Sequence, residues 1–127
     1  MRVGIAGYGV VGKTRHRSIE SNTPYQITAI SESSEEARKS IPAGIKIYND
    51  YKSLIASADI DVIFISLPNQ FAAEAACLSL QRGLHVFCEK PPARTHGELL
   101  EVEKQSLKFP ELKLMYGFNH RFHRSVE

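Results

Sequence analysis

Cysteine is nearly missing from this sequence: Cys77 and Cys88 stand alone, with no CxxC pair and no metal-ligand spacing around either. That excludes a disulfide scaffold and a zinc module, and both thiols read as buried small hydrophobes. Charge of one sign is missing too. A formal net charge of +2 on 127 residues is far from the concentrated basic face of a nucleic-acid binder. The densest basic stretch, Lys13-Thr14-Arg15-His16-Arg17, is short, and Glu32, Glu35 and Glu36 follow it. No apolar run approaches the roughly 20 residues that would cross a membrane. The start of the chain, Met1-Arg2-Val3-Gly4-Ile5-Ala6, shows no charged region, long apolar stretch or cleavage site of a leader. The expected compartment is the cytoplasm, with neither nucleic acid nor membrane as partner. Repeats, low-complexity tracts and linkers are absent as well, so the length predicts a single domain. A domain of this size buries about two-thirds of its unfolded surface and needs no metal or disulfide staple.

What is present is an alternation of apolar runs with helix-like segments. Val3 to Ala6 reads as a buried strand, Val10 to about Glu20 as a helix, and Tyr25 to Ser31 as a β-branched strand. Ser33 with Glu36 has capping-box spacing for a short helix. Ile45 to Tyr48 is a short strand, and Asp50 caps a helix through Ile55. Val62-Ile63-Phe64-Ile65 is apolar on both faces, as a parallel strand covered on each side should be. Pro68 stops it. Phe71 to Gln81 reads as a helix with Arg82-Gly83 as its stop. His85 to Cys88 is the next strand, ended by Pro91-Pro92. Thr95 and Glu98 open a helix to about Leu107, and Lys113 to Phe118 is the last strand. This order predicts an α/β fold: a doubly wound parallel sheet of Rossmann type, helices on both faces, reached by right-handed crossovers.

Gly7-Tyr8-Gly9-Val10-Val11-Gly12 follows the first strand and opens the first helix, matching G-x-G-x-x-G. Gly7 permits the tight turn, Gly9 lets backbone approach a pyrophosphate, and Gly12 lets the helix pack close to the sheet. The anion would sit on free N–H groups at the helix N-terminus, aided by the helix dipole. Gly7 through Thr14 also spells Gly-x-x-x-x-Gly-Lys-Thr, a P-loop, in which Lys13 would reach phosphates and Thr14 would hold Mg²⁺. Two features argue against it. The strand Val62 to Ile65 ends in Ser66-Leu67-Pro68 rather than an acid for Mg²⁺, and the P-loop leaves Gly9 unexplained. A third feature favours the dinucleotide. Glu32 ends the second strand about 20 residues past the loop, where a carboxylate accepts from the adenosine ribose hydroxyls. It repels a 2′-phosphate, and Ser33 stands where an arginine would argue for NADP; NAD is therefore expected, with NADP possible. Taken alone, Glu32 would be an ordinary exposed loop acid.

The second half narrows the class. Asp61-Val62-Ile63-Phe64-Ile65-Ser66-Leu67-Pro68-Asn69 precedes Gly83-Leu84-His85-Val86-Phe87-Cys88-Glu89-Lys90-Pro91, and Tyr116-Gly117-Phe118-Asn119-His120-Arg121-Phe122 comes later. This succession, over essentially the whole chain, resembles the N-terminal domain of the glucose–fructose oxidoreductase / inositol dehydrogenase / MocA family. Glu89-Lys90-Pro91 after a strand is its most specific piece. The resemblance implies that Lys90 is catalytic, beside the nicotinamide ribose and the reacting hydroxyl, where an ammonium favours deprotonation. The alternative for Lys90 is a solvated lysine before a proline stop. By the same resemblance Pro91 fixes a turn through a cis bond, and Ser66, Leu67, Pro68 and Asn69 form the loop beneath the cofactor. Glu89 flanks the nicotinamide, and Asn119 and Arg121 lie near the cleft. Relatives commonly carry a histidine where this chain has Ala72.

The resemblance also implies a second domain absent from residues 1–127. That domain would supply the substrate pocket for a sugar-like molecule, the oligomer interface of a homo-oligomer, and the base. Relatives enter a further helix at Ser125-Val126-Glu127. The expected parent enzyme moves a hydride between a nicotinamide and a secondary alcohol of a sugar, cyclitol or nucleotide sugar. Residues 1–127 would bind NAD, turn over little, and self-associate through apolar surface near the last strand. The rivals are a dinucleotide-sensing module without catalysis and a P-loop nucleotide hydrolase. No metal site is expected: His120 and His123 are spaced as a pair but lack a third ligand. His16 reads as exposed on the first helix, His85 as a strand-edge residue, and His96 as part of a helix's first turn.

Overall fold

Alternating apolar residues settle on opposite faces of one sheet, and helices cover both. In the computed structural model, which describes residues 1–124 without the side chains of His120 and Phe122, six strands pair in parallel. They are β1 (Arg2–Ala6), β2 (Gln26–Ser31), β3 (Lys46–Tyr48), β4 (Val62–Ile65), β5 (His85–Cys88) and β6 (Leu114–Tyr116), in the spatial order β3-β2-β1-β4-β5-β6. The fold is the doubly wound Rossmann type, and strand order reverses between β1 and β4, where such sheets open a crevice at their C-terminal ends.

The pleat sorts the core. Val3 and Ile5 of β1, with Val62 and Phe64 of β4, pack under Ile19 of α1 (Val10–Asn22). Ile63 and Ile65 point the other way, against α3 (Tyr51–Ser57), α4 (Asn69–Gln81) and Val102 of α5 (His96–Lys108). Ile63 is 0% and Ile65 1% exposed, and burying such a side chain stabilises the fold by about 1.5–3 kcal/mol. Gly83 turns with φ +86° after α4, and Thr95 Oγ1 accepts the Glu98 N–H at 3.1 Å to start α5.

Several expectations shift. The short helix α2 (Glu35–Arg38) is capped by Ser34, not Ser33: the Ser34 hydroxyl accepts the Ala37 N–H at 3.2 Å. The physical reason is Glu32, whose Oε1 accepts the Ser34 N–H at 2.9 Å and delays the helix by one residue. His16 is not exposed but 3% accessible. Gly12, His16 and Ile19 form the buried stripe of α1, so helical spacing turns His16 inward despite its basic neighbours. Cys88 is fully buried, whereas Cys77 is only partly covered. Burial pushes the Cys88 thiol up to about 12, with Glu89 adding to it. His85 begins an interior strand and accepts the Lys113 N–H at 3.0 Å on Nδ1. Asp50 caps α3 as expected, but that helix runs two residues further, to Ser57. Helix α4 starts two residues early, at Asn69. After β6 the chain forms an unforeseen 3₁₀ turn, Asn119–Phe122. The His120 side chain, and with it the expected His120–His123 pair, and residues Ser125 to Glu127 fall outside what the structure describes.

Candidate functional site

The C-terminal ends of β1, β2, β3 and β4 border one cleft of about 460 Å³. Gly7, with φ +89°, makes the turn out of β1, and its N–H donates to Ser31 O at 2.9 Å. A Cβ there would lie 2.5 Å from Ser66 O, so the turn can form against the β4 loop only with glycine. Gly12 packs its Cα on the Gly7 carbonyl, where a Cβ would come within 2.1 Å of the oxygen. Gly9 instead faces open space. Helix α1 begins at once, with no side-chain cap at Gly9. Its first bond of the regular i→i−4 pattern is Lys13 N–H to Gly9 O, so the N–H groups of Val10, Val11 and Gly12 have no partner inside the helix.

Helix geometry also counts against the P-loop arrangement. Lys13 closes the first turn of α1 and Thr14 follows it. Thr14 Oγ1 donates back to Val10 O at 2.9 Å, and the Lys13 ammonium sits 5.8 Å from the centre of the Tyr8 ring. Thr14 is thus engaged by its own helix rather than offered to a metal ion.

Glu32 ties the cleft together. Its Oε2 accepts the Tyr8 N–H at 2.8 Å and its Oε1 the Ser34 N–H at 2.9 Å. Each oxygen keeps a lone pair for a further donor. Arg38 holds this loop from the carbonyl side, donating from Nε to Glu32 O at 2.7 Å and from Nη2 to Ser33 O at 2.8 Å. The buried hydroxyls of Ser31 and Ser66 line the cleft without a protein partner. Open N–H groups, orphan hydroxyls and a fixed carboxylate fit the phosphates and ribose of a dinucleotide.

The predicted residues divide into two groups. Gly7, Gly9, Glu32, Ser33, Ser66, Leu67 and Pro68 line the cleft. Tyr8 contributes only its backbone, because its ring is 4% exposed in the core and its hydroxyl lies 2.9 Å from His16 Nδ1. Val10 and Val11 are exposed on the first turn, and Asn69 starts α4 beside the cleft. The second group lies past β5 and β6. Glu89 accepts from Arg15 Nε, and Asn119 Oδ1 accepts from Arg15 Nη2 at 3.3 Å. Lys90 is exposed, and the Lys90–Pro91 bond is cis. The sequence reading missed Asn49, Asp50, Tyr51 and Phe71 on the cleft wall. The available signal was topological: the loop after β3 opens on the same edge as those after β1 and β2. Tyr51 and Phe71 place their rings 5.9 Å apart there. Burial and the hydrogen bond to Glu74 raise the Tyr51 hydroxyl above its ordinary value.

Residues 1–117 match the oxidoreductase family with an NAD-binding Rossmann fold. The chain belongs to that family. It is 29% identical to D-glucoside 3-dehydrogenase of Escherichia coli over 96% of its own length and 36% of that protein. It is 33% identical to D-xylose 1-dehydrogenase (NADP(+)) 2 of Haloferax volcanii over 100% of its own length and 40% of that protein. Among solved structures, scyllo-inositol dehydrogenase of Lactobacillus casei with bound NAD(H) and scyllo-inositol superposes with a TM-score of 0.88 at 27% identity. That match covers 98% of this chain and 38% of the other. Residues 1–127 thus span little more than a third of the relatives they match. Among the described residues no helix is long and apolar enough to cross a membrane.

Proposed function

We propose that residues 1–127 bind NAD in the β1–β4 cleft, as the nucleotide-binding part of a dehydrogenase acting on a secondary alcohol of a sugar, cyclitol or nucleotide sugar. The carrying observation is the Glu32 carboxylate, fixed by two backbone N–H groups beside the uncapped N-terminus of α1. The pyrophosphate rests on the first turn of α1, and Glu32 accepts the ribose hydroxyls and disfavours a 2′-phosphate. Ser66, Leu67, Pro68 and Asn69 floor the site; Glu89, Pro91 and Asn119 border its nicotinamide end. NAD supplies the hydride acceptor. Lys90, exposed where β5 ends, orients the substrate hydroxyl, and a base from outside residues 1–127 takes its proton. The printed activities of the glucoside, xylose and inositol relatives support the substrate class. The NAD reading and the two free thiols support a cytoplasmic setting. Met115 and Phe118, 48% and 49% exposed beyond β5, support association with a second domain or copy.

The test is calorimetric titration with NAD⁺, NADP⁺ and Mg-ATP, repeated with Glu32→Ala. NAD⁺ binds at least about tenfold more tightly than the others, a gap of roughly 1.4 kcal/mol that the substitution narrows. Preferred binding of Mg-ATP, or an unchanged NAD⁺ preference in Glu32→Ala, overturns the assignment. Binding without any turnover once the longer protein is supplied would favour a dinucleotide sensor.

A further inference from the structure

We propose that Arg15 is a positioning residue for the nicotinamide end of the cleft, holding the Glu89 carboxylate and the Asn119 amide next to the Lys90–Pro91 turn. The proposal rests on the NAD reading above. Arg15 lies on the second turn of α1, the helix whose N-terminus faces the cleft. Its Nε donates to Glu89 Oε1 and its Nη2 to Asn119 Oδ1 at 3.3 Å, contacts reaching 74 and 104 residues along the chain. The guanidinium carbon sits 4.8 Å from the Phe87 ring centre, and Phe87 stacks on Phe64 at 4.9 Å. The platform beneath the cation is therefore rigid.

Glu89 is confined from the far side as well. A Cβ on Gly117 would fall 2.5 Å from Glu89 Oε2, so the carboxylate lies directly on the Gly117 backbone. The Arg15 and Glu89 side chains are only 21% and 14% exposed. Partly burying two charges costs desolvation, which good geometry must offset. The rigid guanidinium fork meets both acceptors while lying over Phe87, and a lysine ammonium on its flexible stem reproduces neither the fork geometry nor the stacking. Sheet bonding ends here: Glu89 N–H donates to Ile65 O and Gly117 N–H to Cys88 O, each at 2.9 Å. Beyond them Lys90 has no ladder to hold it. With Oδ1 engaged by Arg15, the Asn119 amide N–H₂ remains as a donor, and the pair sets the polar rim against which a nicotinamide can settle.

A plain structural tether between α1 and the sheet would be made of the same contacts, so the test must separate the two. The full 127-residue chain and its Arg15→Met, Arg15→Lys and Asn119→Ala variants are titrated with NAD⁺ and with ADP-ribose, which lacks only the nicotinamide. The wild type binds NAD⁺ more tightly than ADP-ribose. Arg15→Met lowers NAD⁺ affinity about tenfold and leaves ADP-ribose within about twofold. Arg15→Lys fails to restore the difference, and Asn119→Ala reduces it a few-fold even where Arg15→Met folds poorly. Equal loss for both ligands, no loss for either, or equal binding of both by the wild type overturns the proposal. If the wild type binds neither ligand, the NAD reading itself fails.

Discussion

The two ends of the sheet solve the same problem in opposite ways. At the N-terminal end, polar groups pair with one another. The Arg2 N–H donates to Asp61 Oδ2 at 2.7 Å, its guanidinium reaches Asp61 Oδ1 at 2.9 Å, and Asp59 joins the cluster. The Asp61 N–H returns a bond to Arg2 O at 2.8 Å, and the Asp61 carbonyl accepts from His85 N–H. At the C-terminal end the first turn of α1 is uncapped, and the Ser31 and Ser66 hydroxyls are buried without partners. Unsatisfied buried polar groups cost about 1–3 kcal/mol each. The open groups at the C-terminal end fit the cofactor site proposed above. The difference lies in the loops, since the same strands run through both ends.

The largest test of this contrast uses two glycines three residues apart. Gly12→Ala drives a Cβ into the Gly7 carbonyl, with backbone on both sides of the clash. The expected loss is about 3 kcal/mol, a melting temperature lower by roughly 10 °C, and cofactor binding lost with it. Gly9→Ala meets nothing within 4 Å. It stays within about 1 kcal/mol of the wild type, the small cost of alanine at an N-cap. Its NAD⁺ affinity nevertheless falls at least tenfold, because the methyl fills space kept for the pyrophosphate. Thermal melts and calorimetry on the pair decide it. If Gly9→Ala melts as low as Gly12→Ala, the loop is a structural turn rather than an open cradle.

That loop was the most legible part of the chain, because its glycines answer to steric demands that leave a signature in sequence. The strands were legible for a similar reason: β4 is an unbroken apolar run, the pattern of a parallel strand covered on both faces. What could not be read were contacts between distant residues. Nothing near Arg15 in the sequence announces Glu89 or Asn119. Nothing near Tyr51 and Phe71 announces a shared cleft wall. His16, expected to be exposed, turns inward with Gly12 and Ile19, the buried stripe of α1. The cap at Ser34 in place of Ser33 turned on a side-chain bond from Glu32, which outweighs a one-residue difference in local preference.

A smaller effect sits just beneath the loop. The Tyr8 hydroxyl lies 2.9 Å from His16 Nδ1, with the rings edge to face at 5.7 Å. Burial raises the Tyr8 hydroxyl above its ordinary value, so it stays protonated, and the imidazole tautomer sets which partner donates in this bond. Tyr8→Phe leaves Nδ1 without that partner and lowers stability by about 1 kcal/mol. NAD⁺ affinity stays within about twofold, since the ring faces the core and only the Tyr8 backbone reaches Glu32. A denaturant midpoint and a titration check both halves. A large loss of affinity would mean that the packing under the loop, and not its open N–H groups, governs binding.

The smallest effect belongs to the saturated end and supplies the control. Hydrogen bonds from Arg2, then its charge, hold the Asp61 carboxyl at about 2, below its ordinary 3.8. A carboxylate depressed on folding stabilises the native state above its unfolded pKa and loses that contribution as pH falls through the folded one. The Arg2–Asp61 pair is thus intact above pH 4 and lost between about 4 and about 2. Exposure to solvent keeps the gain small and salt-sensitive. Asp50, Glu74 and Glu98 are also held below their ordinary values by their own donors, so acid destabilisation is shared. Melting temperatures between pH 5 and 2 therefore fall in the wild type and fall less steeply in Asp61→Asn. At neutral pH the variant binds NAD⁺ as the wild type does, because the cluster lies a full strand length from the cleft. An identical acid slope would deny Asp61 its share. A weakened NAD⁺ affinity would show that the two ends are coupled through the sheet, and that saturation at one end helps to hold the other open.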